Sequence, residues 1–130
     1  DHSMISSNPH KRQMNKFIWP LSTSVAKWQQ YTIRLGLKAK KDRDVIGSAS
    51  VDFLMYSGYI VMAYFWAQMA QAAYEKLATD VENRDFYRAK IKTAEFYFER
   101  LLPRTKSLAV TMMADPKTLM QLDEELLSFL

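Results

Sequence analysis

Residues 51–74 read VDFLMYSGYIVMAYFWAQMAQAAY, and Asp52 is the only charged residue among them. The run is long enough for a membrane span, which needs roughly 20 apolar residues, but an all-round apolar helix can equally be the centre of a bundle. Its four Tyr, one Trp and two Gln are spread along the run, whereas membrane helices collect Tyr and Trp at the two interfaces. We therefore predict a buried central helix and no membrane span, with the span as the alternative.

The composition favours one helical domain. The chain has 130 residues, 48% of them hydrophobic, with three Gly and four Pro, which indicates a real core and long helices rather than strands and turns. There is no Cys, so disulfides and thiolate metal sites are excluded. Because the N-terminus is polar and lacks an apolar segment, we expect no signal peptide. We expect a cytoplasmic protein.

Positive charge is concentrated in the first third of the chain. Residues 1–43 hold nine Lys and Arg against two Asp, whereas residues 44–130 hold nine against twelve Asp and Glu. A cluster lies at the predicted end of the first helix, where the helix dipole favours cations. We interpret it as helix termination on a solvated face rather than a phosphate site. Its members are Lys38, Lys40, Lys41 and Arg43.

The N-terminal segment lacks periodicity. We predict a flexible tail over residues 1–20, of which residues 1–3 are interpreted as a cloning remnant, and a helical bundle over residues 21–130. The first helix is expected to begin after Pro20, near Ser22 to Ser24, because Ser and Thr cap free backbone N–H groups.

Two long helices follow the first one in the pattern. The central helix is predicted from Asp42 or Asp44 to about Ala78, and the next begins after residues 79–83, with Asp80 or Asn83 as its cap. Its apolar seam repeats at steps of four and three residues, at Tyr87, Ile91, Ala94, Phe98 and Leu101.

Prolines divide the last part of the chain. Pro103 removes a backbone donor and predicts a kink, followed by a restarted helix over about 104–114. A short helix over 116–122 and an apolar end, residues 126–130, that docks on the bundle or on another chain complete the expectation. The fold class is thus an all-α, up-and-down bundle of about four helices with a long central helix.

The residue types argue against chemistry within this chain. No His follows His10, which excludes the paired Glu-x-x-His site of di-metal bundles, a haem ligand and a Ser-His-Asp triad. Asp52 is a possible functional acid, but we favour an ion pair or hydrogen bond to the first helix. Three Met recur every seven residues and are interpreted as core filler: Met55, Met62 and Met69. We predict no catalytic, cofactor-binding or metal-binding residue.

Three segments together resemble the C-terminal accessory domain of long-form acyl-CoA dehydrogenases. They are the central-helix stretch 56–73, the pair Phe86-Tyr87 with Lys90 and Ala94, and the run FYFERLLPR over 96–104. The resemblance extends over about residues 21–127, and the last run is its most specific part.

The resemblance implies that the chemistry takes place in a flavin-containing catalytic part of the enzyme, called the body below, and not in this domain. In that family a flavin-containing body removes the α-proton of an acyl thioester with a glutamate, and FAD accepts the β-hydride. No stretch here matches the body's motifs, so FAD and acyl-CoA are expected only in the parent enzyme. The domain is expected to pack on the flavoprotein body, in the same or a separate chain, and to extend contacts in a homo-oligomer.

The sequence therefore leads to two functional hypotheses. The first is a non-catalytic assembly domain of a FAD-dependent acyl-CoA dehydrogenase, whose parent converts an acyl-CoA to a 2,3-enoyl-CoA, without nucleic acid as a partner. The alternative is an independent helical module for an anionic partner, such as nucleic acid or the phosphates of CoA, held by the basic first third.

Overall fold

The computed structural model describes residues 11–79, 81–115, 117, 126, 128 and 129. This part of the chain contains four α-helices, joined in sequence by short connections. They are α1 (Lys11–Lys41), α2 (Asp44–Leu77), α3 (Arg84–Phe96) and α4 (Thr105–Met112).

The helices form three antiparallel rods. A π-helical segment, Tyr97–Leu101, and a 3-10 turn, Leu102–Arg104, join α3 to α4 in one interrupted rod. The rod of α2 lies between the other two and packs against both. At 1.5 Å per residue it is about 50 Å long. The predicted all-α bundle with a long central helix is confirmed.

The start of α1 differs from the prediction. The helix begins at Lys11 rather than near Ser22 to Ser24, and it runs through Pro20. The expectation of a loose segment is therefore wrong for residues 11–20, while residues 1–10 lie outside the described part. The reason is tertiary: Met14 and Phe17 are almost completely buried, and their burial outweighs the backbone hydrogen bond that Pro20 removes.

The central helix has the predicted bounds. The Oδ1 atom of Asp42 accepts a hydrogen bond of 3.0 Å from the N–H of Asp44, which satisfies one of the free donors of the first turn. At the other end, the guanidinium of Arg84 donates to the carbonyl oxygens of Leu77 at 2.9 Å and Thr79 at 3.0 Å. Both ends of α2 are thus closed by side chains from the adjoining connections.

The core lies along one side of α2. That side is rich in Ala and lets the neighbouring rods approach closely; its buried members are Val45, Ala49, Tyr56, Ile60, Ala63, Ala67, Ala70 and Ala73. The outer rods also meet each other directly, because the rings of Phe17 and Phe98 pack edge to face with centroids 5.2 Å apart.

Pro103 interrupts the third rod as predicted. It cannot donate a hydrogen bond to the carbonyl of Glu99, and the backbone around it changes from α to π and then to 3-10 geometry before α4 begins. The seam that was predicted from spacing is confirmed at its centre, where Ile91, Ala94 and Phe98 are buried.

The predicted caps and the last helix have mixed outcomes. Asn83 occupies the N-cap of α3 with a φ of 60° and makes no capping hydrogen bond with its side chain, while Asp80 lies outside the described residues. The predicted helix over 116–122 and the apolar end over 126–130 fall mostly outside them too, although Phe129 is described as exposed.

Candidate functional site

One face of α2 is apolar and uncovered. We call it the α2 stripe: Val51, Leu54, Met55, Gly58, Val61, Met62, Phe65 and Met69. These positions repeat at steps of three and four residues, so they share one side of the helix. The stripe is about 27 Å long and contains no charge.

The exposure of the stripe overturns part of the sequence interpretation. Met55 and Met62 are each 49% exposed and Met69 is 38% exposed, so they are not core filler. Phe65 is also half exposed, although the whole central helix was predicted to be buried. The central helix is therefore buried on one side only, because the two neighbouring rods cover the Ala-rich side and leave the larger side chains outside.

The same exposure bears on the membrane alternative. Among the described residues, α2 is long and apolar enough, by length and composition, to cross a membrane. Only 22% of an apolar 18-residue stretch of this helix is buried. Burial within this fold therefore does not account for the apolar character of α2.

A second apolar line runs along the outer side of α1. Trp19, Ile33 and Leu37 are all more than half exposed, and their spacing of fourteen and four residues places them on one side of the helix. Polar side chains alternate with them, including Thr23 and Gln30. This α1 line is thus more mixed in polarity than the α2 stripe.

A cleft of about 640 Å³ opens between α1 and the α4 end of the third rod. Its floor includes Tyr31 and Tyr56, and its rim carries the cationic side chains of Lys27, Arg34 and Lys106. No Asp or Glu is among the described residues that line it. The cleft therefore offers a positive rim above an aromatic floor.

The two aromatic residues of the cleft floor contact each other. The rings of Tyr31 and Tyr56 pack edge to face with centroids 5.7 Å apart. Burial raises the pKa of Tyr56, and the nearby Tyr31 raises it further, against a hydrogen bond with Thr105 that lowers it. The Tyr56 hydroxyl is therefore neutral at physiological pH and adds no negative charge to the cleft.

A protein-family model described as acetyl-CoA dehydrogenase C-terminal like matches residues 2–123. This chain belongs to that family. The suspected relationship to the C-terminal domain of acyl-CoA dehydrogenases is thereby confirmed. No curated protein and no solved structure matches the chain at a significant level.

Within this acetyl-CoA dehydrogenase C-terminal like domain, the predicted charged residues lie apart from the cleft. Lys38, Lys40 and Lys41 are exposed in the last turn of α1, as expected for helix termination. Asp52 is partly buried. Its expected ion pair or hydrogen bond to α1 is not found among the described residues. The part of the chain that the structure describes holds no group of three His, Asp or Glu placed to bind a metal ion.

Three polar links tie the rods together. Trp28 Nε1 donates to Ser57 Oγ at 2.8 Å, and the Tyr97 hydroxyl donates to the carbonyl oxygen of Tyr59 at 2.6 Å. Burial, with a smaller contribution from Tyr59, raises the pKa of Tyr97 to about 12. These links fix α1 and the third rod against α2 without using the stripe.

The third link is the ion pair between Lys16 and Glu95, with Nζ and Oε1 2.6 Å apart. The hydrogen bond from Lys16 lowers the pKa of Glu95. Burial alone would lower the pKa of Lys16, but the interactions with Glu95 and Tyr74 outweigh it and raise that pKa. Sequence reasoning missed this pair because it assigned Lys16 to a tail.

Proposed function

We propose that this chain is the non-catalytic assembly domain of a FAD-dependent acyl-CoA dehydrogenase. The observation that carries the proposal is the uncovered α2 stripe, in a domain whose family is that of acetyl-CoA dehydrogenase C-terminal segments. A contiguous exposed apolar face of this kind marks a protein or membrane interaction site, and we assign it to a protein interface. Its parent enzyme oxidises an acyl-CoA to a 2,3-enoyl-CoA in the cytoplasm.

We assign the two exposed apolar surfaces, the α1 line and the α2 stripe, to two different contacts. Interfaces between domains of one chain are moderately polar, whereas interfaces between subunits of permanent oligomers are more hydrophobic. The mixed α1 line, with Trp19, Ile33 and Leu37 exposed, fits the first class and is assigned to the flavoprotein body. The uncharged α2 stripe fits the second class and is assigned to subunit contact.

The described residues do not fit FAD. Dinucleotide cofactors are commonly held where a glycine-rich turn brings a helix N-terminus to the pyrophosphate. Gly36, Gly47 and Gly58 all lie inside helices, and no glycine has a positive φ among the described residues. We therefore assign the flavin, the catalytic base and the acyl-CoA site to the body.

The test compares the chain alone with the complete polypeptide that carries it. The complete polypeptide is expected to purify with flavin and to reduce an artificial electron acceptor with a panel of acyl-CoA thioesters. The chain alone is expected to do neither. Flavin retained by the chain alone, or a complete polypeptide without flavin, would contradict the proposal.

The basic cleft favours a second candidate function, the binding of an anion such as a CoA phosphate or a nucleic-acid phosphate. Three cations surround it and no acidic side chain lines it among the described residues. Binding of this kind falls steeply with salt when phosphate contacts dominate.

A pair of triple variants tests the cleft. Changing Lys27, Arg34 and Lys106 to Gln is expected to abolish binding of CoA or of single-stranded RNA, measured by calorimetry at two salt concentrations. The matched control changes Lys38, Lys40 and Lys41 to Gln, which removes the same charge at the end of α1. Equal losses in both variants would mean that net charge, rather than the cleft, attracts the anion.

A further inference from the structure

The area of the α2 stripe is that of a complete subunit interface. Its large side chains are 38–72% exposed, which leaves roughly 700 Å² of mostly apolar surface, close to the about 800 Å² per partner of a standard interface. A single small ligand would leave most of this face in water. Covering the stripe therefore requires a protein surface of similar length.

The stripe is arranged symmetrically about Gly58. Val51 and Phe65 lie seven residues to either side of it, and Leu54 and Met62 lie four residues to either side. When two such helices cross antiparallel at Gly58, Val51 of one copy meets Phe65 of the other. The same crossing brings Gly47 to Met69, so that a smaller residue faces a larger one in both of these pairs.

Gly58 itself is unexplained by the isolated domain. It lies in the interior of α2, where glycine is among the least favourable residues. A Cβ atom built on it meets nothing within 4 Å, so the fold of one copy does not require a glycine there. Close approach of a second backbone is a common reason for a glycine in a helix face.

The neighbours of the stripe argue against lipid as the occupant. The two rods beside α2 carry exposed charges, including Lys27 and Arg34 on α1 and Lys92 on α3. Charged side chains inside a bilayer are costly and normally face a protein interior. A protein partner covers the stripe and leaves these charges in water.

We propose that the α2 stripe is the interface between two copies of this chain, packed antiparallel with Gly58 at the crossing point. The proposal rests on the assembly function argued above and names the partner of that surface. The α1 line remains available for the flavoprotein body, so both contacts coexist in one enzyme.

A matched pair of glycine variants tests the crossing. Gly58→Leu is expected to raise the dimer Kd at least about 30-fold, as loss of a central hot spot does, because its side chain separates the two backbones. Gly36→Leu is the control, since Gly36 is also helical, exposed and without neighbours within 4 Å of a built Cβ. Both changes favour the helix, so neither is expected to unfold the chain. Equal Kd values, by sedimentation velocity in detergent-free buffer, would overturn the proposal.

Cross-linking tests the direction of packing, because the chain has no native Cys. A mixture of Val51→Cys and Phe65→Cys chains, treated with a short bismaleimide, is expected to give mixed dimers well above a Gly36→Cys control. Dimers formed equally well by Val51→Cys alone would indicate parallel packing and overturn the antiparallel arrangement. Absence of cross-links, or recovery of the chain only on phosphatidylcholine vesicles, would overturn the homotypic interface.

These outcomes are distinct from failure of the assembly function. A chain that retains flavin would contradict the proposed function while leaving the cross-links unchanged. A chain that stays monomeric would leave the flavin comparison between the chain and its complete polypeptide unaffected.

Discussion

The buried face of α2 carries mostly small side chains, whereas its exposed face carries larger apolar ones. The face turned to its own chain is dominated by small residues, with Ala63, Ala67 and Ala70 fully buried. The face turned outward carries the bulk, and Leu54 is 72% exposed. Apolar residues commonly occur singly on protein surfaces, but rarely as a contiguous stripe of Val, Leu, Met and Phe side chains along one helix.

This difference shows that one helix contributes to two interiors. Small side chains let rods approach closely and gain contact between backbones, whereas large side chains gain most when a partner removes them from water. In the isolated chain only the Ala-rich face of α2 is buried, and the outer face stays exposed. Predictions for single substitutions should therefore separate according to the face that they touch.

The largest expected effect is at the start of α1, where inward and outward rings are two residues apart. Phe17→Ala should lower the free energy of unfolding by about 3–5 kcal/mol, because Phe17 is buried against Phe98 and its loss leaves a cavity. Trp19→Ala, on the exposed α1 line, should change it by less than about 0.5 kcal/mol. Urea unfolding of the chain at low concentration gives both values, and equal losses would contradict the helical assignment of residues 11–20.

The next largest effect is expected when the same Ala→Met substitution is made on the buried face and on the exposed face of α2. Ala67→Met should destabilise the chain by about 1–3 kcal/mol, because Ala67 is fully buried and the added atoms overpack the contact. Ala72→Met, at an exposed position of the same helix, should leave chain stability almost unchanged. Thermal unfolding followed by circular dichroism measures both, and a reversed order would mean that the buried face is wrongly assigned.

A smaller effect is expected at the link between the third rod and α2. Tyr97→Phe should cost about 1 kcal/mol, because it removes the hydrogen bond to the carbonyl of Tyr59. The wild-type chain should also lose stability as pH rises from about 10 to about 12, since the pKa of Tyr97 is raised from 10.0 to about 12 in the fold. In unfolding measurements across this range, an identical pH dependence in the variant would contradict the assignment.

The smallest effect belongs to the ion pair. Lys16→Gln should cost less than about 1 kcal/mol near pH 7, since the pair is partly exposed. The pKa of Glu95 is lowered in the fold, so its contribution is present above the unfolded pKa and is lost as pH falls through the folded one. The difference between variant and wild type should therefore shrink on acidification. A difference that is constant down to strongly acidic pH would contradict the pairing.

Sequence patterns predicted the elements better than their faces. The bounds of α2, the seam of α3 and the break at Pro103 follow from turn residues, periodicity and a missing backbone donor. The start of α1 was not predictable in this way, because Pro20 ordinarily marks a boundary and only the burial of Met14 and Phe17 overrides it.

The orientation of α2 was the hardest feature to predict. A helix that is apolar all round gives no amphipathic signal, so hydropathy cannot tell which side its own chain covers. One signal was present in the spacing of Ala63, Ala67 and Ala70, since small residues three and four apart mark a close helix contact. Taking Met55, Met62 and Met69 as core filler ignored that ladder.

Methionine oxidation tests the central claim, that the stripe is an interior of an assembly, most directly. Met55 and Met62 lie on the stripe, whereas Met14 and Met112 are buried within one copy, and mass spectrometry can follow sulfoxide formation at each after peroxide treatment. We predict that Met55 and Met62 are protected as well as Met112 at high protein concentration and become reactive on dilution, while Met14 and Met112 do not change. Fast oxidation of Met55 and Met62 at every concentration would contradict the account.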